Sequence, residues 1–274
     1  MKEFYYLNTQ NQKLDFTEFP YLAKDISELE NYEHNYDHEG NEILDFYEGL
    51  SEIPFSVNVY GDTVEEYEAA ANRMFEVTEY DVKANKRGKL YYGNQYVLCN
   101  LISNIKDNIY EEIGFHESHI TMITDHPYWI HEVYLQFLPT EQKEIADGLD
   151  FPTDFPFDFA IEKTGVKWIN IEHYTPCDFK MRMYGPCTDP CVTINGHPYQ
   201  IITTLESGEY LEVDSKAQTI IKYMENGTTS NLYNSRLFEY SVFKKIPCGE
   251  SIINWNGTFG FELIVYMKRS ELKR

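Results

Sequence analysis

The alternation of apolar and polar residues between positions 178 and 266 predicts a series of short antiparallel strands. Turn signals separate these segments: Asn195-Gly196 lies between residues 192–194 and 199–202, and Asn226-Gly227 follows residues 219–223. Asn-Gly between β-rich segments is a strong hairpin signal because both residues tolerate a positive φ. Since no helical period interrupts the pattern, we expect this part of the chain to form an all-β sandwich.

The first half of the chain predicts one helix packed on an antiparallel sheet, an α+β arrangement. Residues 54–60 alternate as a strand, and Asp62-Thr63 supplies a helix N-cap directly after it. Helical spacing then continues to about Tyr80. The residues at this spacing are Val64, Tyr67, Ala71, Met74, Phe75 and Thr78. Further strands are predicted at residues 4–7, 89–92, 95–102, 111–115 and 120–124.

Two segments fit neither pattern. Residues 30–52 are acidic and are predicted to be partly loop. Residues 139–163 combine prolines with several phenylalanines and a short helical piece at 141–146, which predicts a domain junction. We therefore expect domains at residues 1–140 and 166–274, joined by residues 141–165.

Composition limits the possible functions. The chain of 274 residues is long enough for two domains, and its net charge of −22 is poorly suited to binding phosphate backbones or anionic lipid. Its 23 tyrosines fit either protein interfaces or β cores. No apolar stretch approaches a membrane span, and the N-terminus does not have the layout of a signal peptide. Five scattered cysteines favour reduced thiols in a protein made in the cytoplasm.

Catalytic and metal-binding motifs are weak. His34 and His38 have ligand spacing but lie in a predicted loop. Ser118 lies near several residues that suggest a catalytic triad: His116, His119, Asp125 and His126. Strand alternation is expected to direct these side chains to opposite faces of a sheet, and Ser118 is not flanked by the glycines of a nucleophile elbow. Cys177, Cys187 and Cys191, with His173 or His197, form a possible metal site, but we interpret them as buried thiols near turns. The last group of candidates is the hairpin acids, none of which is marked as a general acid: Glu206, Glu209, Glu212 and Asp214. We expect neither an enzyme nor a bound cofactor or metal.

The order of motifs in the last third resembles that of distal tail proteins, the ring-forming tail-tip components of siphophages that infect Gram-positive bacteria. The motifs are FKMRMYGP at 179–186, PCVTING at 190–196, SGEYLEVDS at 207–215, NG at 226–227, FKKIPCG at 243–249, INWNG at 253–257 and KRSE at 268–271. The first third is similar more loosely, and the acidic segment 28–52 departs from a minimal member of the family.

This resemblance implies a structural protein of a phage or prophage virion, assembled in the bacterial cytoplasm. An N-terminal split-barrel domain would form a hexameric ring, and a galectin-like or carbohydrate-binding-like sandwich would follow it. The implied partners are the tail tube protein, a tail-associated lysin protein and receptor-binding or other baseplate proteins. DNA would pass through the ring without being bound. We place the expected ring interface on the helix and the 89–102 hairpin, at Tyr67, Met74, Phe75, Tyr91, Tyr92 and Tyr96.

Aromatic residues of the sandwich suggest a second hypothesis, a carbohydrate-binding module without catalytic activity. Sugar rings stack on aromatic faces, although a β core accounts for the same residues equally well. The expected contacts with a glycan or a partner are Tyr199, Tyr210, Trp255 and Phe259, with Trp168 and Tyr184 as further candidates.

Overall fold

The computed structural model describes residues 2–139 and 165–273, which form two compact units. The first unit comprises Met1–His131 and Lys268–Arg274, and the second comprises Glu132–Met267. The predicted boundaries at 140 and 165 stay a prediction. The helical piece expected at 141–146 and most of the expected junction lie outside the described residues.

The first unit is built from strands around one α-helix, α1, at Val64–Ala84. Its strands are β1 Phe4–Leu7, β2 Lys13–Asp15, β3 Thr17–Glu18, β4 Tyr21–Asp25, β5 Asn35–Glu39, β6 Glu42–Tyr47, β7 Ser51–Tyr60, β8 Gly88–Tyr92, β9 Gln95–Tyr110, β10 Phe115–Thr124 and the start of β11 Trp129–Phe137. Short 3₁₀ turns lie at Ser27–Glu30 and Glu111–Ile113. The main antiparallel sheet has the order β9-β10-β7-β4-β3, while β8 pairs with β1 and β9. Strands β5 and β6 pair only with each other.

The helix begins and ends on recognisable capping residues. The Thr63 side chain accepts a hydrogen bond from the Glu66 N–H, and Asn85 adopts the left-handed conformation, with φ of 49°, at the C-terminal end. The helix therefore extends four residues past the predicted end at Tyr80. It buries Tyr67, Ala70, Met74, Val77 and Asp81 against the sheet.

One sequence prediction in the first unit is wrong, and another is incomplete. Residues 111–115 and 120–124 do not form two strands, because residues 111–113 make a 3₁₀ turn that ends at Gly114 and β10 then runs unbroken. The acidic segment is partly loop, as predicted, at residues 31–34 and 48–50, but the β5–β6 hairpin between them was not predicted, and its side chains are almost all exposed. A strand without a buried face lacks the alternation by which strands are recognised in sequence.

The second unit contains two larger sheets that share one core, together with a two-stranded sheet of β14 and β17, so the predicted β-rich, mainly antiparallel architecture is confirmed. Its further strands are β12 Gly165–Ile171, β13 Asp178–Tyr184, β14 Cys187–Thr188, β15 Cys191–Ile194, β16 His197–Gln200, β17 Thr204–Leu205, β18 Tyr210–Asp214, β19 Thr219–Tyr223, β20 Thr229–Asn231, β21 Gly249–Trp255 and β22 Phe261–Arg269. A third 3₁₀ turn lies at Tyr233–Ser235. One sheet has the order β20-β19-β18-β13-β22 and the other β12-β21-β15-β16. Core side chains come from both sheets, including Phe179, Met181, Val192, Ile253 and Trp255.

The chain enters the second unit within β11 and leaves it within β22, so its last described residues belong to the first unit. Leu272 is buried in the core of the first unit. The Gln95 side chain donates to the Lys273 carbonyl and accepts from the Lys273 N–H, both at 3.1 Å. Among the described residues, no helix is long and apolar enough to cross a membrane.

Candidate functional site

His116 and Ser118, the centre of the weak catalytic motif, lie together in the core of the first unit. The His116 ring bonds to the Tyr67 hydroxyl at 2.9 Å and to the Ser118 hydroxyl at 3.0 Å. The prediction that alternation separates these residues is wrong for this pair, because positions two apart on a strand share a face. Burial lowers the pKa of His116 to about 4, so the ring is neutral and structural.

A second Ser-His-Glu arrangement lies on the other face of the same sheet. The Ser56 hydroxyl is 2.9 Å from His119 Nδ1, and His119 Nε2 is 3.7 Å from Glu117 Oε1. Both Glu117 oxygens accept bonds from the Lys24 ammonium, at 2.7 and 2.6 Å. Sequence reasoning missed Ser56 because strand pairing brings it to His119 from 63 positions away.

This arrangement does not have the organisation of a hydrolase site. Glu117 is paired with Lys24. The backbone of β10 around it forms the hydrogen bonds that join β10 to β7 and β9. Those N–H groups are therefore not free to form an oxyanion hole. Ser56 and His119 instead share a hydrogen bond beside the ion pair of Lys24 and Glu117 on this face of the sheet.

Metal-ligand clusters are missing from residues 2–139 and 165–273, where no three His, Cys, Asp or Glu side chains converge. Burial raises the pKa of Cys187 to about 11 and raises that of Cys191 as well, which keeps both thiols protonated. Protonated thiols are poor metal ligands.

Three of the four hairpin acids of the second unit, Glu209, Glu212 and Asp214, are paired with cations. Glu212 contacts Arg182 at 2.8 Å and Lys180 at 3.1 Å, while Glu209 contacts Lys222 at 2.6 Å. Burial alone would raise the pKa of Glu212, but its bonds to Arg182 and Lys180 outweigh burial and lower it. Ionised, paired carboxylates do not serve as general acids at neutral pH.

One exposed feature of the first unit is the acidic hairpin, which we define as residues 35–47. Every residue of β6 is exposed, including Ile43, Leu44 and Phe46 at 54–63%. The hairpin contains four acidic residues and no Lys or Arg. Exposed apolar residues grouped in this way mark interaction surfaces.

A groove of about 330 Å³ lies between α1 and β9 of the same unit. Phe75, Val82 and Ile102 line it and are 42–58% exposed. Lys83 also lines the groove, and Lys86 and Arg87 follow closely in the chain. We call this feature the α1 groove.

Comparison with known proteins places this architecture among phage tail structures. No family model and no curated relative matches the sequence. Solved structures do match: the Dit protein of phage SPP1, described as a paradigm of the hub adsorption apparatus in phages infecting Gram-positive bacteria, aligns with a TM-score of 0.59 and 10% identity. That alignment covers 97% of this chain and 99% of the SPP1 chain.

Two structures of the phage P2 baseplate in its activated conformation, with calcium and with strontium, also match. Each aligns with a TM-score of 0.63, at 16% and 15% identity, over 99% of this chain and 100% of the baseplate chain. The chain has the distal tail protein fold. Because the alignments extend over nearly the whole length, the fold likeness includes both units.

Within this distal tail fold, the predicted ring-interface residues differ in accessibility. Tyr67, Met74 and Tyr96 are buried, at 1–7% exposure. Tyr91 and Tyr92 are half-buried, and Phe75 is exposed. The buried three are occupied inside the subunit, so the predicted interface rests on the accessible three and stays a prediction.

The predicted glycan platform is largely a core feature. Tyr199, Trp255 and Phe259 are buried at 2–5% exposure, and the Trp255 indole N–H donates to the Phe259 carbonyl at 3.1 Å. Tyr210 is half-buried and stacks on Tyr223, with ring centroids 4.6 Å apart. Trp168 is 69% exposed.

Proposed function

We propose that this chain is a structural hub protein of a phage tail, acting at the junction between the tail tube and the tail tip. The observation that supports the proposal is the alignment over both units, from end to end, with the SPP1 hub protein and the P2 baseplate chains. A fold shared over the whole chain, without an organised catalytic site among the described residues, fits an assembly role better than an enzyme.

In this role the first unit forms a closed ring, a hexamer by analogy with the family, around a channel through which DNA passes. The ring carries the tail tube on one side and the tail-associated lysin and receptor-binding proteins on the other. A net charge of −22 fits this arrangement, because acidic walls repel rather than retain a passing polyanion. Assembly takes place in the cytoplasm of a Gram-positive host, and the finished protein is part of the virion tail tip.

The test is the mass of the purified full-length chain by light scattering, with negative-stain imaging of the same fractions. We expect closed rings of six subunits with an open centre. Immunogold labelling of virions provides an independent readout, with label at the tail tip. Label confined to the capsid or absent from virions contradicts the proposal.

The carbohydrate-binding hypothesis is not proposed as a second function. Of the four aromatic residues expected to contact a glycan, three are buried in the core of the second unit. A buried ring offers no face on which a sugar can stack.

A further inference from the structure

The acidic hairpin is a surface that the subunit leaves incomplete. Strand pairing sets Asp37 directly opposite Asp45 and Glu39 opposite Glu42. Like charges opposite one another destabilise a strand pair, and a two-stranded hairpin is only marginally stable by itself in water. No Lys or Arg occurs in the sequence between Lys24 and Arg73. A docked basic partner would stabilise the hairpin.

The hairpin also presents apolar surface to such a partner. Tyr36 and Phe46 are paired across the strands, with ring centroids 6.4 Å apart in an edge-to-face arrangement. Both rings are more than half exposed, as is Leu44, two positions from Phe46. The partner therefore needs an apolar depression bordered by cations.

The α1 groove has these properties. Its exposed apolar residues are Phe75, Val82 and Ile102. The adjoining segment 82–89 contains four basic and no acidic residues, in a chain of net charge −22. Lys83 and Arg87 make ion pairs within the subunit, to Glu79 at 3.4 Å and Asp125 at 2.8 Å, and both remain partly exposed beside the exposed Lys86.

We propose that the acidic hairpin of one copy docks into the α1 groove of a second copy of this chain. The apolar side chains of the hairpin fill the groove, and its carboxylates face Lys83 and Lys86. The contact is heterologous because it joins two different patches, and such contacts generate closed rings when the rotation closes. This inference rests on the proposed tail function and specifies how neighbouring subunits of the ring are joined.

Charge reversal on the two surfaces tests the contact. The hairpin variant carries Asp37→Lys and Asp45→Lys, and the groove variant carries Lys83→Glu and Lys86→Glu. We expect each variant alone to associate at least about tenfold more weakly than the wild type, since like charges then meet across the interface. An equimolar mixture should recover wild-type rings, because each reversed surface then meets its opposite.

The matched control reverses two exposed acids of the second unit, Glu225→Lys and Glu239→Lys, with the same change in net charge as the hairpin variant. It should assemble at least as well as the wild type. Circular dichroism establishes that all variants are folded. Rings of unchanged stability in both reversed variants, or a mixture that fails to recover them, would overturn the proposed contact and leave the tail function standing.

Cross-linking covers the case of a wild-type chain that does not form rings alone. A Leu44→Cys chain is mixed at high concentration with a tagged Val82→Cys chain, both carrying Cys248→Ser to remove the exposed native thiol. We expect an oxidised heterodimer, and none when Val166→Cys, exposed in the second unit, replaces Val82→Cys. Absence of the heterodimer overturns the hairpin contact, whereas immunogold labelling of virions decides the tail function separately.

Discussion

Single buried polar residues organise the core of the first unit, and His116 connects two elements of it. Its ring bonds to Tyr67 on α1 and to Ser118 on β10, and all three side chains are buried. Burial, with a smaller contribution from Lys106, lowers the pKa of the ring from its ordinary 6.5 to about 4. Between about pH 4 and pH 6.5, His116 is therefore neutral in the folded chain, whereas the same side chain binds a proton in the unfolded chain.

His116 should make stability depend on pH in the acid range. Its contribution is complete above pH 6.5 and is lost as the pH falls toward 4, where the unfolded chain binds a proton that the folded chain does not. The loss is about 3 kcal/mol at ~1.36 kcal/mol per pKa unit. The His116→Gln variant keeps hydrogen-bonding groups but does not titrate. Between pH 6.5 and pH 4, its free energy of unfolding in urea should therefore fall by about 3 kcal/mol less than that of the wild type. Parallel pH profiles for both proteins would contradict the prediction.

The two tryptophans of the second unit should differ sharply in their contribution to stability. Trp255 packs against Phe137 and Phe261 with ring centroids 5.7 and 5.3 Å away, whereas Trp168 is 69% exposed. Trp255→Ala should lower the free energy of unfolding by about 3–5 kcal/mol, and Trp168→Ala by less than about 0.5 kcal/mol. Denaturant unfolding measures both, and similar losses would show that the burial assignment is wrong.

Among the helices and strands, the structure agrees with the sequence prediction where neighbouring residues determine the turn or the cap. The β15–β16 hairpin turns on Asn195 and Gly196 with φ of 49° and 79°, as Asn-Gly predicts. Strand β1, Phe4–Leu7, has the predicted bounds, and α1 begins directly after the predicted cap at Thr63. Turns and helix caps depend on a few neighbouring residues, so they can be predicted from the sequence alone.

Features that depend on distant partners could not be predicted from the sequence. Asp81 is buried on α1 because it accepts a bond from Tyr6, 75 positions away, at 2.8 Å. The residues predicted at helical spacing include Phe75, which is exposed, and omit Val77, which is buried. Ser56 and His119 likewise meet only through the pairing of β7 with β10.

The turn at Gly114 leaves no room for a side chain. Gly114 has φ of 61°, and a Cβ there would lie 2.4 Å from the Gly61 carbonyl oxygen. Gly93 has nearly the same φ of 60°, but its Cβ would meet only a lysine side chain, at 3.6 Å. Gly114→Ala should therefore lower the free energy of unfolding by about 1–3 kcal/mol more than Gly93→Ala. The backbone strain is the same in the two variants, and only Gly114→Ala adds a steric clash. Thermal unfolding of the two variants checks this, and equal losses would contradict it.

For the whole molecule, charge opposes assembly while the proposed contact favours it. In the proposed ring, six subunits of net charge −22 would repel one another over tens of ångströms, whereas a hairpin carboxylate and a groove ammonium would meet at contact distance. The Debye length falls from about 30 Å at 0.01 M salt to about 8 Å at 0.15 M. Salt in this range therefore screens the repulsion more than the contact.

Ring formation should accordingly strengthen between about 0.01 and 0.15 M NaCl. Light scattering at fixed protein concentration measures the change. The hairpin variant with Asp37→Lys and Asp45→Lys serves as the control, and we expect its weak association to persist at both salt concentrations. Wild-type rings that dissociate steadily over the same range would show that local ion pairs outweigh the repulsion between whole subunits.

The return of the chain to the first unit sets an order of events during synthesis. Leu272 and the two bonds between Gln95 and Lys273 complete the core of the first unit only after the second unit has been translated. A polypeptide interrupted anywhere in the second unit therefore lacks part of the core of the first unit, which is the unit that carries the acidic hairpin and the α1 groove. In the proposed ring, a complete chain would then be needed to present stable assembly surfaces, and truncated products would be poor ring subunits.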